Sequence, residues 1–238
     1  MRCNLLDIEG CFNIRDIGGY PTADGKTVRH LRFVRSGSLS VLTERGKEQL
    51  LSQGLRCVVD LRSGAEVEQY PDTVMDDPRF SWYHLPMLDY IHSSIAGKLM
   101  DVFPPSLEEM YFKLIRENKA DFRQLFELFA DPAHQSFIFH CMAGKDRTGI
   151  AAALLLSLAG VDEQTIVEDY SHSAELLREI MAKVDLSGLP EYVLTSNALT
   201  MQALLEHLKA EYGGGKGYLS QIGVAPDVQR EVLRKLVG

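Results

Sequence analysis

The sequence predicts an α/β layer fold around a central, mostly parallel sheet. Short β-like apolar runs alternate with longer runs of helical period, the pattern of strands joined by crossover helices. One helical run, TGIAAALLLSLAG at 148–160, is apolar nearly all round and so must be buried. Composition agrees: 238 residues with 45% hydrophobic and 24% charged side chains is ordinary globular usage, enough for one sizeable core. No linker or internal repeat interrupts the chain, and residues 1–238 read as a single domain.

The elements follow in order. HLRFVRSG at 30–37 reads as a strand running into a turn. Thr43 with Glu44 behind it is an N-cap signal and Gly54 a stop, giving a helix between them. LRCVVDLRS at 55–63 has the core of a buried strand ending at Asp60, and SWYHLPM at 81–87 is a further strand. Ser106 and Glu109 form a capping-box pattern ahead of Leu107, Met110, Tyr111, Leu114 and Ile115. Asp121 reads as the cap of the next helix, which puts Phe122, Leu125, Phe126 and Phe129 on one face. SFIFH at 136–140 is the next strand and leads into the apolar helix. The last third reads as helical: Asp162 caps one helix, SAELLREIMAKV at 173–184 supplies another, and NALTMQALLEHLKAEY at 197–212 a third. GGGKG at 213–217 is a flexible break, and Pro226 suits the first turn of a final helix ending at Leu236.

A formal net charge of −8 argues against general nucleic-acid affinity, so any positive charge for an anionic substrate must be local. Cys3, Cys11, Cys57 and Cys141 lack metal spacing such as CxxC and read as free thiols in a reducing compartment. No apolar run approaches the roughly 20 residues of a membrane span, and the N-terminus lacks a continuous apolar stretch of the secretory kind. The expected location is cytoplasmic. Oligomeric state is left open.

Chemistry concentrates in HCMAGKDRTG, 140–149, between the SFIFH strand and the apolar helix. A strand that turns through a glycine-containing loop into a helix presents backbone N–H groups and the positive end of the helix dipole to one point. A cysteine at the base of such a loop has its thiolate stabilised. Arg147 offers a planar fork that matches two phosphoryl oxygens. The loop would wrap a tetrahedral anion with Met142, Ala143, Gly144, Lys145, Asp146, Arg147 and Thr148, with Cys141 below, and the Thr148 hydroxyl could donate to the thiolate. Taken singly, these residues have ordinary explanations: a buried cysteine is a small hydrophobe, and an arginine at a helix start is a solvated charge. Their combination in one short stretch is what argues for a site. An ATP-binding Walker loop is excluded, because its first glycine and its Ser/Thr would fall on Phe139 and Asp146.

HCMAGKDRTG resembles the HCxxGxxR[ST] signature of the cysteine-dependent protein tyrosine phosphatase superfamily. More narrowly, HCxxGKDRTG is similar to the atypical bacterial and fungal branch with tyrosine, dual-specificity and phosphoinositide phosphatase activity. NIRDIGGY at 13–20, FVRSGSL at 33–39 and VVDLRS at 58–63 agree, so the resemblance covers about residues 10 to 160. It implies a tyrosine-phosphatase-like fold and two-step hydrolysis of a phosphorylated protein or phosphoinositide. Cys141 attacks phosphorus, Arg147 and the loop amides stabilise the equatorial oxygens, and water releases phosphate. No metal and no organic cofactor is implied. His140 would tune the thiolate. For the general acid, Asp89 and Asp101 fit by position only, while the branch suggests Asp146 first and Asp60 second; Asp60 could instead brace the loop. Lys145 reads either as recognition of highly charged substrates or as solvated balance for Asp146. Lipid phosphatases with two loop lysines have one where this chain has Met142. Arg15 and Asp16 would fix the loop architecture. Cys57 could form a protective disulfide with Cys141, or be a buried strand residue. The segment 187–212 is expected to cover the site in part as a lid, with a plain packed helix as the alternative. Two other functions compete: a sulfurtransferase, and a pseudophosphatase that only binds phosphoproteins.

Overall fold

The computed structural model describes residues 4–87, 104–178 and 197–238. Six strands, β1 (Asn4–Leu5), β2 (Arg15–Asp16), β3 (Phe33–Ser36), β4 (Cys57–Asp60), β5 (Ser81–His84) and β6 (Phe137–His140), pair in the order β1-β2-β3-β6-β4-β5. β3, β6, β4 and β5 run parallel, as expected, while β1 and β2 add a short antiparallel edge. The helices among the described residues are α1 (Glu44–Ser52), α2 (Gly64–Gln69), α3 (Leu107–Glu117), α4 (Lys119–Ala130), α5 (Asp146–Ala159), α6 (Glu163–Leu176), α7 (Ala198–Tyr212), α8 (Gly215–Gln221) and α9 (Pro226–Leu236).

Period-two alternation divides the core. Phe33, Cys57, Val59, Phe137 and Phe139 face the layer made by α3 to α9, and Val34, Val58 and Ile138 face Leu39, Leu42, Val74 and Leu50 of α1. Helices on both faces explain why these strands read as unbroken apolar runs. Parallel register then sets Ser36, Asp60 and His140 abreast at the carboxyl ends of β3, β4 and β6. A crevice at such strand ends is where open α/β sheets place their ligands.

Several boundaries differ from the sequence reading. Asp121 does not cap α4. The helix starts one turn earlier, with Asn118 at the N-cap closing α3 through Nδ2 to Leu114 O at 3.0 Å. SAELLREIMAKV does not begin a separate helix, because α6 runs unbroken from its Asp162 cap through Ser173 to Leu176. The break at 213–217 is confined to Gly213 and Gly214, both at positive φ, and Gly215 already opens α8. α2 is an element beyond those the sequence reading contains. A full Ser63–Glu66 capping box starts it.

The described part of the expected lid, 197–212, forms α7 capped by Asn197. Met201, Leu204, Leu205 and Leu208 join the large core, Thr200 bonds Glu108 of α3, and His207 stacks on Phe112. This half is the plain packed helix of the alternative; residues 187–196 lie outside the described residues, as do Asp89 and Asp101. The Cys57–Cys141 disulfide is excluded by register. Cys57 sits beside Phe137 at the opposite end of β6 from Cys141, about 13 Å away at ~3.3 Å per residue, against the ~7 Å a disulfide permits. Burial, with the Asp131 charge adding to it, pushes its thiol up to about 12. No helix among the described residues is long and apolar enough to cross a membrane.

One buried cation ties the C-terminus to the sheet. Lys235 of α9 donates to Phe129 O, Asp131 O and His134 O at 3.0, 2.6 and 2.7 Å, closing the end of α4 where the chain turns toward β6. Lys235→Met would leave carbonyls unsatisfied in the core. It should lower unfolding free energy by about 2–4 kcal/mol in a denaturant melt, with activity per folded molecule unchanged. A loss below about 0.5 kcal/mol would show that these carbonyls find other donors.

Candidate active site

The loop from Cys141 to Arg147 leaves the carboxyl end of β6 and becomes α5 at Asp146. Its shape is imposed from outside. Met142 O accepts from the Ser38 N–H at 2.9 Å, and Ala143 O from Asn13 Nδ2 at 2.9 Å. Gly144 O accepts from Asn13 Nδ2 at 3.1 Å and from Arg35 Nη2 at 2.9 Å. Across a trans peptide, C=O and the following N–H point in opposite directions, so these outward carbonyls turn the amides of Ala143, Gly144 and Lys145 inward. There they join the first-turn amides of α5, which a helix cannot pair internally. The result is a concave nest of donors fit for an anion. Gly144 is required twice over. Its φ is +68°, and a Cβ there would stand 2.3 Å from Ser36 O.

Behind the loop lies a buried ion network. Asp169 of α6 meets Arg15 Nε at 3.2 Å and Arg35 Nη1 at 2.6 Å, and accepts from Tyr20. Burial alone would raise its carboxyl, but the charges of Arg15 and Arg35 outweigh this and hold it below the ordinary carboxylate value. Arg15 Nη1 donates to Asn13 Oδ1 at 2.6 Å, which fixes the amide that reaches the loop. Arg15 therefore does support the loop. Asp16 does not: its carboxylate receives the Gly18 N–H and the His30 ring instead.

Cys141, at the base of the nest, is a buried free thiol, and its carbonyl lies 3.2 Å from His140 Nδ1. Arg147 is held end-on by Glu66 of α2, with Nη1 to Oε2 at 2.7 Å and Nη2 to Oε1 at 2.8 Å; Leu61 O accepts from Nη1 at 3.3 Å. Glu66 Oε2 also accepts the Ser63 N–H at 2.7 Å, so one carboxylate closes the α2 capping box and orients the guanidinium. Thr148 is buried, but its hydroxyl has no hydrogen-bond partner among the described residues, so the expected bond to Cys141 is not formed.

The two candidate acids sit in different surroundings. Asp146 Oδ1 accepts from Tyr111 of α3 at 2.7 Å, with Lys145 Nζ 3.5 Å away. Tyr111 in turn touches the Tyr170 hydroxyl at 2.7 Å. Burial first, and then the Asp146 charge, push the Tyr111 hydroxyl well above its ordinary value, so it stays a donor. Lys145 is not a solvated charge, as one reading had it, but is buried against Asp146. Asp60 is fully buried and gripped by Arg62, with Oδ1 to Nε at 2.9 Å and Oδ2 to Nη2 at 2.6 Å.

The sequence reading missed Asn13, Arg35, Glu66, Tyr111 and Asp169. Glu66 had a local signal in the Ser63-x-x-Glu66 capping pattern. Asp169 had none, since its partners lie 134 and 154 residues away.

The family described as "Tyrosine phosphatase family" matches the chain over residues 6–238. The chain belongs to that family. A tyrosine-protein phosphatase of Nostoc commune is 33% identical to this phosphatase over 210 residues, 81% of this chain and 70% of the relative. The triple specificity protein phosphatase PtpB of Mycobacterium tuberculosis is 26% identical over 280 aligned positions, 98% of this chain and 99% of the relative. The Siw14 catalytic core resembles it over 87% of this chain and 95% of that one, at 14% identity with a TM-score of 0.43.

Because Glu66 sets the plane of Arg147, Glu66→Gln should lower the phosphatase's kcat/KM about 100-fold, the scale of a misplaced group near the reacting atoms. Ser63→Ala, which removes only the side-chain cap, should cost less than about tenfold. Equal losses in steady-state assays would show that α2 folding, and not the ion pair, sets Arg147.

Proposed function

We propose that the phosphatase hydrolyses phosphotyrosine and related phosphomonoesters through a cysteinyl-phosphate on Cys141, with residues 1–238 acting as one catalytic unit. The observation that carries this reading is the inward amide nest around Cys141, braced through Met142, Ala143 and Gly144, with Arg147 pre-oriented by Glu66. In the first step the Cys141 thiolate attacks phosphorus as the phosphorus–oxygen bond to the leaving group breaks. The amides and Arg147 take up charge on the three equatorial oxygens, and the leaving oxygen receives a proton from Asp146. In the second step water attacks phosphorus, the sulfur–phosphorus bond breaks, Asp146 takes the water's proton, and inorganic phosphate leaves. The unpartnered Thr148 hydroxyl is available to the returning thiolate.

Asp146 suits the proton transfer better than Asp60. Arg147 is turned to Glu66, so of the two positive neighbours in sequence only Lys145 stands beside the Asp146 carboxylate. Asp60, sealed in and saturated by Arg62, suits a brace. Phosphorylated proteins, tyrosine-phosphorylated first, are the proposed substrates. Phosphoinositides rank below them, since Met142 supplies no second lysine and Lys145 is engaged by Asp146. A reducing compartment such as the cytoplasm suits the free thiols Cys11, Cys57 and Cys141. Family membership favours phosphatase over sulfurtransferase chemistry, and retention of both Cys141 and Arg147 speaks against a binding-only protein.

Cys141→Ser should abolish turnover of a phosphotyrosine peptide while inorganic phosphate still binds, because a hydroxyl is a poor nucleophile but the amides remain. Arg147→Lys should fail as well, since a point charge cannot replace the fork. Substantial turnover in the serine variant would overturn the covalent mechanism.

The acid is tested by leaving groups. Asp146→Asn should slow a phenyl or alkyl phosphate strongly and spare a nitrophenyl phosphate, whose departure needs little protonation. Asp60→Asn should slow both by similar factors and lower stability. A leaving-group dependence seen with Asp60→Asn and not with Asp146→Asn would reverse the two roles.

A further inference from the structure

On the α1 side of the sheet, behind Cys141, four titratable side chains are closed off from water. Asp60, Arg62 and His140 are 0% exposed and Asp72, from the segment after α2, 4%. Arg62 Nη2 lies 2.6 Å from Asp60 Oδ2 and 2.9 Å from Asp72 Oδ1. Asp72 Oδ1 also accepts the Leu39 N–H at 3.0 Å, and Oδ2 the Trp82 Nε1–H at 3.3 Å. His140 Nε2 stands 2.9 Å from Asp72 Oδ2 and 3.9 Å from Asp60 Oδ2. The first approach is at hydrogen-bond length but off the ideal angle, so charge more than direction holds it.

Two arguments fix the protonation of the ring. Two carboxylates face a single guanidinium, and an uncompensated buried charge costs several kcal/mol; a positive His140 closes the balance. The ring nitrogens also face only acceptors, Nδ1 the Cys141 carbonyl at 3.2 Å and Nε2 the two carboxylates. A bare Nδ1 would set lone pair against lone pair, and at Nε2, where the approach is off-angle, the two carboxylate charges favour the second proton.

We propose that Asp72 is a positioning residue for the phosphatase reaction. It holds His140 as a buried imidazolium beside Cys141, and that charge favours the thiolate form in which Cys141 attacks. The proposal rests on the reading of Cys141 as nucleophile.

Electrostatics agree with the geometry. Burial alone pulls the His140 ring down, but the Asp72 and Asp60 charges and the Asp72 contact outweigh it and raise it from the ordinary imidazole value. The ring's contribution to stability is therefore complete below the ordinary imidazole value and is lost only as pH rises through the raised one. Asp72 is held down at about 2: burial opposes this, and His140 and Arg62 overcome it. Among the described residues two further titratable groups stand on this side. Cys11 is near Ser36 and Asp72, and burial pushes its thiol up to about 12, so it adds no charge. His84 is abreast of Asp60 on β5, and its Nε2 lies 2.8 Å from Arg62 O. On the other side of Cys141, Arg147 is paired with Glu66 and Lys145 with Asp146, while Arg15 and Arg35 are tied to Asp169 beyond Gly144. The imidazolium is then the positive group nearest the cysteine in sequence.

The test follows alkylation of Cys141 by iodoacetamide against pH, read on the Cys141 peptide by mass spectrometry. Asp72→Asn should move the midpoint up by about one unit or more, the scale of losing a nearby opposite charge, and the acid limb of kcat/KM should move with it. A purely structural Asp72 would lower the melting temperature and leave both midpoints in place; that result in a folded variant overturns the proposal. Nitrogen NMR of His140 in the wild-type protein is independent of how the variant folds. Two ring protons at neutral pH support the proposal, and one overturns it. Neither the alkylation nor the NMR readout depends on turnover, so a failure of Cys141 as nucleophile would show separately in the serine variant.

Discussion

A loop can offer its amides to an anion only if something else holds its carbonyls. In this phosphatase that constraint reaches across the whole fold. Asn13, Arg35 and Ser38 come from the N-terminal part of the chain, yet they grip three consecutive carbonyls of a loop more than a hundred residues later. Arg15 and Asp169 steady those grips, and Asp169 brings in α6 from the other end of the catalytic core. Around the loop Arg15, Arg35, Lys145 and Arg147 meet Asp169, Asp146 and Glu66, one positive charge in excess. A chain of net charge −8 thus keeps a locally cationic site without a basic surface.

Arg15, Arg35, Arg62 and Arg147 are all essentially buried. Charges in a core are tolerable when each has a partner of good geometry, and removing one partner costs about 3–5 kcal/mol. Apart from the local Asp60–Arg62 pair, the partners Asp169, Asp72 and Glu66 come from other parts of the chain, so Arg15, Arg35 and Arg147 meet their carboxylates only once α6 and α2 have docked on the sheet. The arrangement is a weak argument for raw stability and a strong one for a unique geometry at the loop. The apolar α5, buried nearly all round, supplies the rigid floor on which that geometry stands.

What the sequence reveals divides along the same line. Signals carried within a few residues were legible: Thr43, Asp162 and Asn197 as caps, Pro226 in a first turn, the apolar β3, β4 and β6, and the strand–loop–helix around Cys141. Cap chemistry misled once, at Asp121, because Asn118 lets α4 follow α3 without a gap. β1 and β2, at two residues each, are too short to leave a period. The ionic partners were invisible for a different reason. A buried Asp169 or Asp72 looks like any acidic residue in a helix or turn until the fold brings an arginine or histidine from afar. Even Asp60, singled out in the sequence, had two readings that only its Arg62 contact weighs against each other.

Glu66 has a consequence of its own. Its carboxylate serves a helix start and an arginine together, and α2 has only six residues. A helix that short has almost no order in isolation, so the Arg147 contact helps to hold α2 in place, and α2 in turn seats Arg147. The start of α2 and the seat of Arg147 are thus stabilised by one shared carboxylate. Foldedness and competence then become separate properties: on the proposed mechanism, losing the Arg147–Glu66 contact would cost turnover even where the sheet and its core stay intact.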